Sequence, residues 1–517
     1  MRLSHERREE LLPLLDRSHG PTPEAIQAAH RDLRVPKAEI WSTASFYSLF
    51  KLPSPAIGVC QGLSCQLKGA DAWAQTLKDQ GSAVARVSCL GQCDRAPAAI
   101  QKSADHSLSP HYITDHVPPA PISPGELAIH LGGEDDLSYA ALHLARTRGP
   151  DQVVQALENS GLQGRGGAGF PAAFKWNAVR NQSEPERYVV CNADEGEPGT
   201  FKDRDVILRR PHLLLEGLAI AAYTVGARDI LIYVRGEFVE ERRSLEQALT
   251  QAAPHLEDFS FQLVSGHGAY ICGEETALLE SLEGRRGMPR LKPPYPTEAG
   301  FRQKPTLINN VETLACVPAI LTRGGEWFKS LGRSEAGTKL YCLSGHVQHP
   351  GVYELPLGVT LNELVATAGG FDGTPKAFSP GGASSGFLPM RYADTPLDFG
   401  SLAKLGSMLG SAGVVVLNDT VKMPEAALSQ SIFFEDESCG QCAPCRIGTQ
   451  LVKRAAETFT QSQNATHLQH IGEIGWQMEE GSICGLGMVA AKPLQNAMHY
   501  FPDEFQGDHP TPSERPS

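Results

Sequence analysis

The sequence predicts an α/β multidomain chain that ends in a purely helical unit. Three observations carry this prediction. Between residues 140 and 335, the β-rich runs RYVVCNA, DILIYVRG and FQLVSG alternate with amphipathic helical stretches, the pattern of a Rossmann-like sheet covered by helices. Residues 336–422 hold the short strands KLYCLSG, GVYELP and AGVVVLND around one helix, TLNELVATAG, and read as a small β-rich unit. Residues 423–505 show helical periodicity and no clear strand. At 517 residues the chain exceeds the roughly 250–300 residues at which single cores stop growing.

The first 139 residues are organised differently. Residues 1–52 read as helical: Leu11, Leu12, Leu14 and Leu15 form an apolar stripe, and Pro23 opens a second helix. Residues 53–105 alternate short strands with a helix and carry two cysteine pairs, Cys60 with Cys65 and Cys89 with Cys93. Residues 106–139, rich in Pro, Ser and His at their start, read as a linker. A net charge of −13 without a basic stripe argues against a nucleic-acid surface. The charged start MRLSHERREELL has no apolar signal core. The apolar run HLLLEGLAIAAYTVG is shorter than the ~20 residues a bilayer needs and contains Glu216. A soluble, cytoplasmic protein is expected.

Eight of the twelve cysteines are clustered. Cys439, Cys442 and Cys445 form a C-x2-C-x2-C run, and Cys484 in SICGLG is a distant fourth thiol. Three thiolates wrapped around one compact core and closed by a fourth is the ligand logic of a [4Fe–4S] cluster. Structural zinc, which usually takes two C-x2-C pairs, is the alternative. The spacings C-x4-C and C-x3-C of Cys60, Cys65, Cys89 and Cys93 suit a [2Fe–2S] core; zinc or an empty degenerate site are the other readings. A disulfide framework is not expected in a chain of this size without an export signal.

The remaining motifs are glycine- and carboxylate-rich loops. Gly164, Gly166 and Gly169 match G-x-G-x-x-G, but a helix precedes them where the dinucleotide fingerprint requires a strand. The glycines still allow close backbone approach to a phosphate or ring, Pro171 starts a helix whose N-terminus favours an anion, and Arg165 and Lys175 add positive charge. The plain alternative is a flexible surface loop. After the strand RYVV comes a loop with Asn192, Asp194, Glu195 and Glu197, at the strand end where α/β sheets bind ligands. It reads either as a hydroxyl-binding loop or as a capped turn, and without histidine it does not suggest a hydrolase. Tyr270, Gly273, Glu274 and Glu275 in one loop, and Asn309, Asn310 and Thr313 in another, open helices and serve equally as ligand contacts or as caps. His267 beside them reads as structural.

In combination and in this order, GRGGAGFP, CNADEGEPGTFKDR, AYICGEETALLESLEG, NNVETL and ESCGQCAPCRIG resemble the NADH-binding, FMN-containing subunit of respiratory complex I. They also resemble its relatives, the diaphorase subunits of soluble hydrogenases and of NAD-dependent formate dehydrogenases. The resemblance covers about 150–500. Residues 1–100, with TASFYSLF and the paired cysteines, resemble the thioredoxin-like [2Fe–2S] subunit, fused here and with a shorter segment between Cys65 and Cys89. The fusion looks most like the beta subunit of NAD-linked molybdenum formate dehydrogenases. The resemblance implies a thioredoxin-like [2Fe–2S] domain, an FMN/NAD domain, a β-grasp-like domain and a helical [4Fe–4S] domain. It implies FMN held by Gly164, Arg165, Gly166, Gly167, Asn192, Asp194, Glu195, Tyr270, Gly273, Glu274, Asn309, Asn310 and Thr313. It implies NAD(H) lined by Phe170, Lys175, Glu197, Lys202 and Glu275, with Phe170 on adenine and Lys175 at the diphosphate. An aromatic common in the family is replaced at Ala178. No side chain need act as acid or base. The implied partners are a molybdenum-containing catalytic subunit and a small [2Fe–2S] subunit. The other assemblies open to it are complex I and a NAD-linked hydrogenase; a different class of reading is a zinc scaffold without flavin.

Overall fold

A computed structural model describes residues 8–112, 129–132 and 134–506. The chain opens with helices Leu11–Arg17, Pro23–Leu33, Lys37–Ala44 and Ser48–Lys51. Thr22 caps the second, accepting from the Ala25 N–H at 3.1 Å, with Pro23 at the first helical position. Leu11, Leu15, Ala25, Ala29, Ile40 and Ala44 close a small core of their own. This segment also packs on the central domain: the Ser48 and Leu49 N–H groups donate to Gly268 O and His267 O, and Tyr47 Oη donates to Arg285 O at 2.7 Å.

Four strands form the next sheet: β1 (Ala56–Cys60), β2 (Val84–Val87), β3 (Ala98–Lys102) and β4 (Leu108–Tyr112), in the order β2-β1-β3-β4. The β1–β2 pair is parallel and the others are antiparallel. The presence of β4 corrects the expected linker: its alternating residues pair along β3, and Trp73 stacks on His111. The linker expected over 113–128 lies outside the described residues. Residues 129–131 are not a free tether either, because Glu354 accepts from the N–H groups of Ile129, His130 and Leu131 at 2.9–3.2 Å.

The central domain is a parallel sheet of β5 (Tyr188–Ala193), β6 (Asp229–Val234), β7 (Ser260–Ser265) and β8 (Thr306–Asn310), in the order β7-β6-β5-β8. The fourth strand, β8, goes beyond the three that the sequence pattern predicts; its sequence TLINN is short and ends in two asparagines. The apolar helix Pro211–Val225 crosses helix Val311–Arg323 at Gly217, where a Cβ would lie 2.2 Å from Leu314 O. Only glycine lets the two backbones approach this closely.

A five-stranded sheet follows: β9 (Thr338–Gly345), β10 (Gly351–Pro356), β11 (Pro375–Ser379), β12 (Leu388–Pro389) and β13 (Gly413–Asn418), in the order β10-β9-β13-β11-β12. The helices Met423–Asp436, Ala443–Ser462, Ile471–Gly481, Gly485–Val489 and Lys492–Tyr500 complete the chain. Their core gathers Phe434, Val452, Phe459, Met478 and Leu494. Among the described residues no helix is long and apolar enough to cross a membrane. The Gly217→Ala variant should lose about 1–3 kcal/mol through overpacking, although alanine is the better helix former. Urea unfolding checks this, and unchanged stability would show that the helix crossing yields freely.

Candidate functional site

The pairing of β5 between β6 and β8 sets the site. Cys191 lies opposite Asn309 and Asn192 opposite Asn310, so the carboxyl ends of β5 and β8 deliver their polar residues side by side. The glycine loop closes over this edge. Its stem is pinned by the Gly164 N–H donating to Phe170 O at 2.8 Å, and its crown by the Arg165 N–H donating to Thr313 Oγ1 at 2.8 Å. Gly166 lies against Asn310, where a Cβ would come within 3.0 Å. The helix expected after Pro171 runs over Ala172–Arg180, and helix Pro150–Ser160 precedes the loop, where a dinucleotide fingerprint would have a strand.

The loop cluster contains groups left without protein partners. Arg165 is fully buried, yet only one nitrogen is used, Nη2 donating to Ala336 O at 2.7 Å; its Nε and Nη1 have no partner. Asp194 Oδ2 is likewise buried and unpartnered, and burial pushes that carboxyl well above the ordinary range. An unpaired buried guanidinium is costly. A loop offering such a cation and close backbone approach fits a phosphate-bearing planar cofactor.

The other candidates are placed as follows. Lys175 Nζ pairs with Glu275 at 2.8 Å and donates to Ile308 O at 3.1 Å. Burial would raise the Glu275 carboxyl, but Lys175 and Lys292 outweigh it and hold it below its ordinary value. Phe170 is 49% exposed, and Phe174 meets it edge-on at 5.5 Å between centroids. Beside them lies a cavity of about 740 Å³ lined by Phe174, Asn177, Ala178 and Glu335. Glu274 caps helix Glu275–Leu282 and pairs with Lys292 at 2.9 Å. Asn192 Nδ2 donates to Gly273 O at 2.8 Å, and Asn309 Oδ1 accepts from Trp176 Nε1 at 2.9 Å. Glu197 accepts from Tyr270 Oη and from the Ser384 N–H at 2.8 Å, which ties the loop to the five-stranded domain. Ser384 is a contact that sequence reasoning misses; nothing in its context, GGASSG, distinguishes it from a turn.

Two further candidates, Lys202 and Glu195, are held by protein partners. Lys202 does not line open space; it is fully buried, with Nζ 2.7 Å from Asp203, 3.1 Å from Glu312 and 3.3 Å from Asn310 Oδ1. Burial opposes its charge, but Asp203, Glu312 and Glu195 together raise its pKa well above the usual lysine value. Glu195 caps the helix Lys202–Arg209, accepting from Asp203 and Arg204 N–H at 2.9 and 3.1 Å, and burial lifts it to about 8. His267 is structural, as expected: Nε2 lies 2.7 Å from Asp16 and the ring stacks on Phe50.

Both cysteine sets are carried by short loops, strand ends and helix starts. Cys60 ends β1, Cys65 lies on the short helix Leu63–Leu67, Cys89 follows β2, and Cys93 opens a turn, so only Cys60 and Cys89 are strand-end residues. All four are buried, Cys89 and Cys93 Sγ lie 4.0 Å apart, and the Gly62 and Gly91 N–H groups point at Cys60 and Cys89 sulfur. At Gly62 a Cβ would sit 3.5–3.6 Å from both sulfurs, so glycine leaves the cradle open. Hydrogen bonding among the sulfurs lowers the Cys89 thiol well below its ordinary pKa and raises those of Cys60 and Cys93 well above it, as expected of thiols packed against one another. In the second set, Cys442 and Cys445 start helix Ala443–Ser462, and Cys484 caps helix Gly485–Val489. Burial raises the Cys445 and Cys484 thiols to about 12 and about 11. Among the described residues no three His, Cys, Asp or Glu converge as a single-ion cage does.

Comparison with known proteins agrees with this arrangement. The Nuo51 FMN-binding domain matches residues 157–319 and the NADH-ubiquinone oxidoreductase-F iron–sulfur binding region matches 425–508. An SLBB domain matches 340–388 and a thioredoxin-like [2Fe-2S] ferredoxin matches 4–115. The F 2 subunit of NADH-quinone oxidoreductase from Rhizobium meliloti is 46% identical over 371 residues, covering 69% of this chain and 88% of its own. The chain belongs to the family of NADH-quinone oxidoreductase F subunits. The corresponding F subunit from Rickettsia typhi is 43% identical over 69% of this chain and 89% of its own. The NAD+-reducing [NiFe]-hydrogenase in its H2-reduced state is 32% identical with a TM-score of 0.87, covering 96% of this chain and 92% of that one. The family makes FMN, a [2Fe–2S] cluster and a [4Fe–4S] cluster the cofactors of this oxidoreductase subunit.

Behind the flavin loop, Glu312 meets Lys339 Nζ at 2.5 Å and Lys202 at 3.1 Å. Burial would raise Glu312, but the two ammonium groups outweigh it and bring it to about 2, below the ordinary 4.5. A carboxylate depressed on folding stabilises fully above the unfolded value and loses that contribution as pH falls towards 2. The stability deficit of Glu312→Gln relative to the parent should therefore be largest near neutrality and shrink below pH 4.5. Equal deficits at both ends of a pH series of denaturant melts would refute the coupling.

Proposed function

We propose that the chain is a diaphorase subunit that exchanges hydride between NAD(H) and FMN and relays single electrons through its iron–sulfur clusters. The observation that carries this is the pair of buried, unsatisfied groups, Arg165 and Asp194, beside the adjoining carboxyl ends of β5 and β8. When bound, FMN supplies the exchange between two-electron hydride chemistry and one-electron transfer. The chain's residues do the holding. Gly164, Gly166 and Gly167 admit the cofactor close to backbone, Arg165 answers its phosphate charge, and Asn192, Asp194, Asn309, Asn310 and Thr313 meet its polar groups. Glu195 contributes through the helix it caps, and Glu274 and Tyr270 shape the facing loop. Phe170 offers an exposed face to adenine, Lys175 a cation to the diphosphate, and Glu275 and Glu197 carboxylates to the ribose side. Cys60, Cys65, Cys89 and Cys93 ligate the [2Fe–2S] cluster; Cys439, Cys442, Cys445 and Cys484 ligate the [4Fe–4S] cluster.

For the assembly, we infer a NAD-linked molybdenum formate dehydrogenase, with a molybdenum-containing subunit and a small [2Fe–2S] subunit as partners in the cytoplasm. The fused first domain with all four cysteines and the acidic net charge of −13 support this reading. A second reading, the diaphorase of a NAD-linked hydrogenase, is favoured by the 96% coverage of this chain in the hydrogenase comparison. Purification from the native source with NAD+-reduction assays separates them: activity with formate and none with hydrogen is expected, and the reverse would overturn the formate assignment.

The isolated holoprotein should reduce ferricyanide with NADH. Lys175→Ala should lower turnover about tenfold to a hundredfold, the worth of a charge-assisted contact; parent-like activity would remove Lys175 from the nucleotide site. NADPH should be a poor donor because Glu275 and Glu197 repel a 2′-phosphate. Replacing Cys442 with Ser should abolish the [4Fe–4S] signal while single-turnover bleaching of the flavin by NADH persists; a full complement of [4Fe–4S] iron would refute that ligand set.

A further inference from the structure

Arg235 follows β6 and has no part in the flavin or nucleotide contacts above. It is buried, and its guanidinium spans two loops. Nη1 donates to Glu195 O at 2.6 Å, Nη2 donates to Cys89 O, and Nε pairs with Glu237 at 3.1 Å. A single side chain thus joins the loop after β5 to the Cys89–Cys93 ligand loop. Gly91 lies against it with φ +65°, where a Cβ would come within 3.4 Å of Nη1.

A second buried arginine already holds that ligand loop mechanically. Arg204 donates to Gly91 O at 3.1 Å, to Gln92 Oε1 at 2.7 Å and to both Asp94 oxygens at 3.0 and 2.7 Å. Arg204 is ion-paired by two carboxylates, Asp94 and Asp205, whereas Arg235 is ion-paired with Glu237, with Asp194 and Glu437 near enough to feel its charge. Burying a further cation is costly, and tethering alone does not call for it. Reduction of a [2Fe–2S] cluster adds one negative charge to a dry site. There a fixed cation stabilises the reduced form, and nearby charge and hydrogen bonding are established levers on cluster potential.

We propose that Arg235 is a positioning residue that sets the reduction potential of the [2Fe–2S] cluster, raising it by fixed positive charge at the Cys89 backbone, with Glu237 as the opposing trim. The inference rests on the reading that Cys60, Cys65, Cys89 and Cys93 ligate that cluster. A charge role, unlike a packing role, gives two shifts of opposite sign.

The test is a redox titration of the holoprotein followed by electron paramagnetic resonance, which reads the two clusters separately. Arg235→Gln should lower the [2Fe–2S] midpoint, Arg235→Lys should stay nearer the parent, and Glu237→Gln should raise it. The [4Fe–4S] midpoint should remain in place in all three. Unshifted [2Fe–2S] potentials at full signal intensity, or shifts of the same sign in Arg235→Gln and Glu237→Gln, would overturn the proposal. Should Arg235→Gln fail to retain its cluster, the sign of the Glu237→Gln shift decides alone: upward supports, unchanged or downward overturns. Absence of any [2Fe–2S] signal in the parent would remove the ligand reading and the proposal with it, whereas a present but unshifted signal removes only the proposal.

Discussion

The parallel pairing of β5 with β8 is the constraint on which the site depends. It sets Asn192 against Asn310 and leaves the loops after both strands opening on the same edge. A one-residue slip would turn those side chains to the opposite face of the sheet and bury them among helices. The glycine loop then has one place to go, because its amide at Arg165 is met by Thr313, the first turn after β8. The flavin loop, the carboxylate loop and the asparagine pair are therefore one construction.

Around that edge the fold tolerates an unusual density of buried charge by arranging it in alternation. Lys202 lies between Asp203 and Glu312, and Glu312 between Lys202 and Lys339. At Lys339 desolvation wins: burial draws its ammonium down to about 8, with Glu312 only partly opposing. Such alternating ion sets cost desolvation and return geometric definition. They also bind β9 of the five-stranded domain to the flavin domain, since Lys339 and Leu340 N–H both meet Glu312.

Much of this is legible in the sequence. The C-x2-C-x2-C run with a distant fourth cysteine, the glycine loop, and the order of the motifs point to the right domains in the right order. The linker reading fails at β4, because LSPHY has a proline and a histidine and pairs only as an edge strand. β8 escapes notice because five residues ending in two asparagines carry little strand signal without their neighbour β5. Lys202 and Glu195 read as ligand contacts, and their protein partners, Asp203 and Glu312 for the one and the Asp203 and Arg204 N–H groups for the other, escape short-range patterns. Arg204 and Arg235 are invisible for a different reason: the loop they hold, through Asp94 and the Cys89 carbonyl, is 110 and 146 residues away. Contacts of that span leave no periodicity to read.

Those separations have a consequence for how the protein is made. The thiols at Cys60, Cys65, Cys89 and Cys93 leave the ribosome before Arg204 and Arg235, which close one wall of their site, have been synthesised. Ser48 waits still longer for its acceptor, Gly268, 220 residues on. Domains form as units during synthesis, but contacts of this span come last. The four sulfurs therefore emerge while part of the wall around them is still unmade, and that wall is complete only once the central sheet has been synthesised.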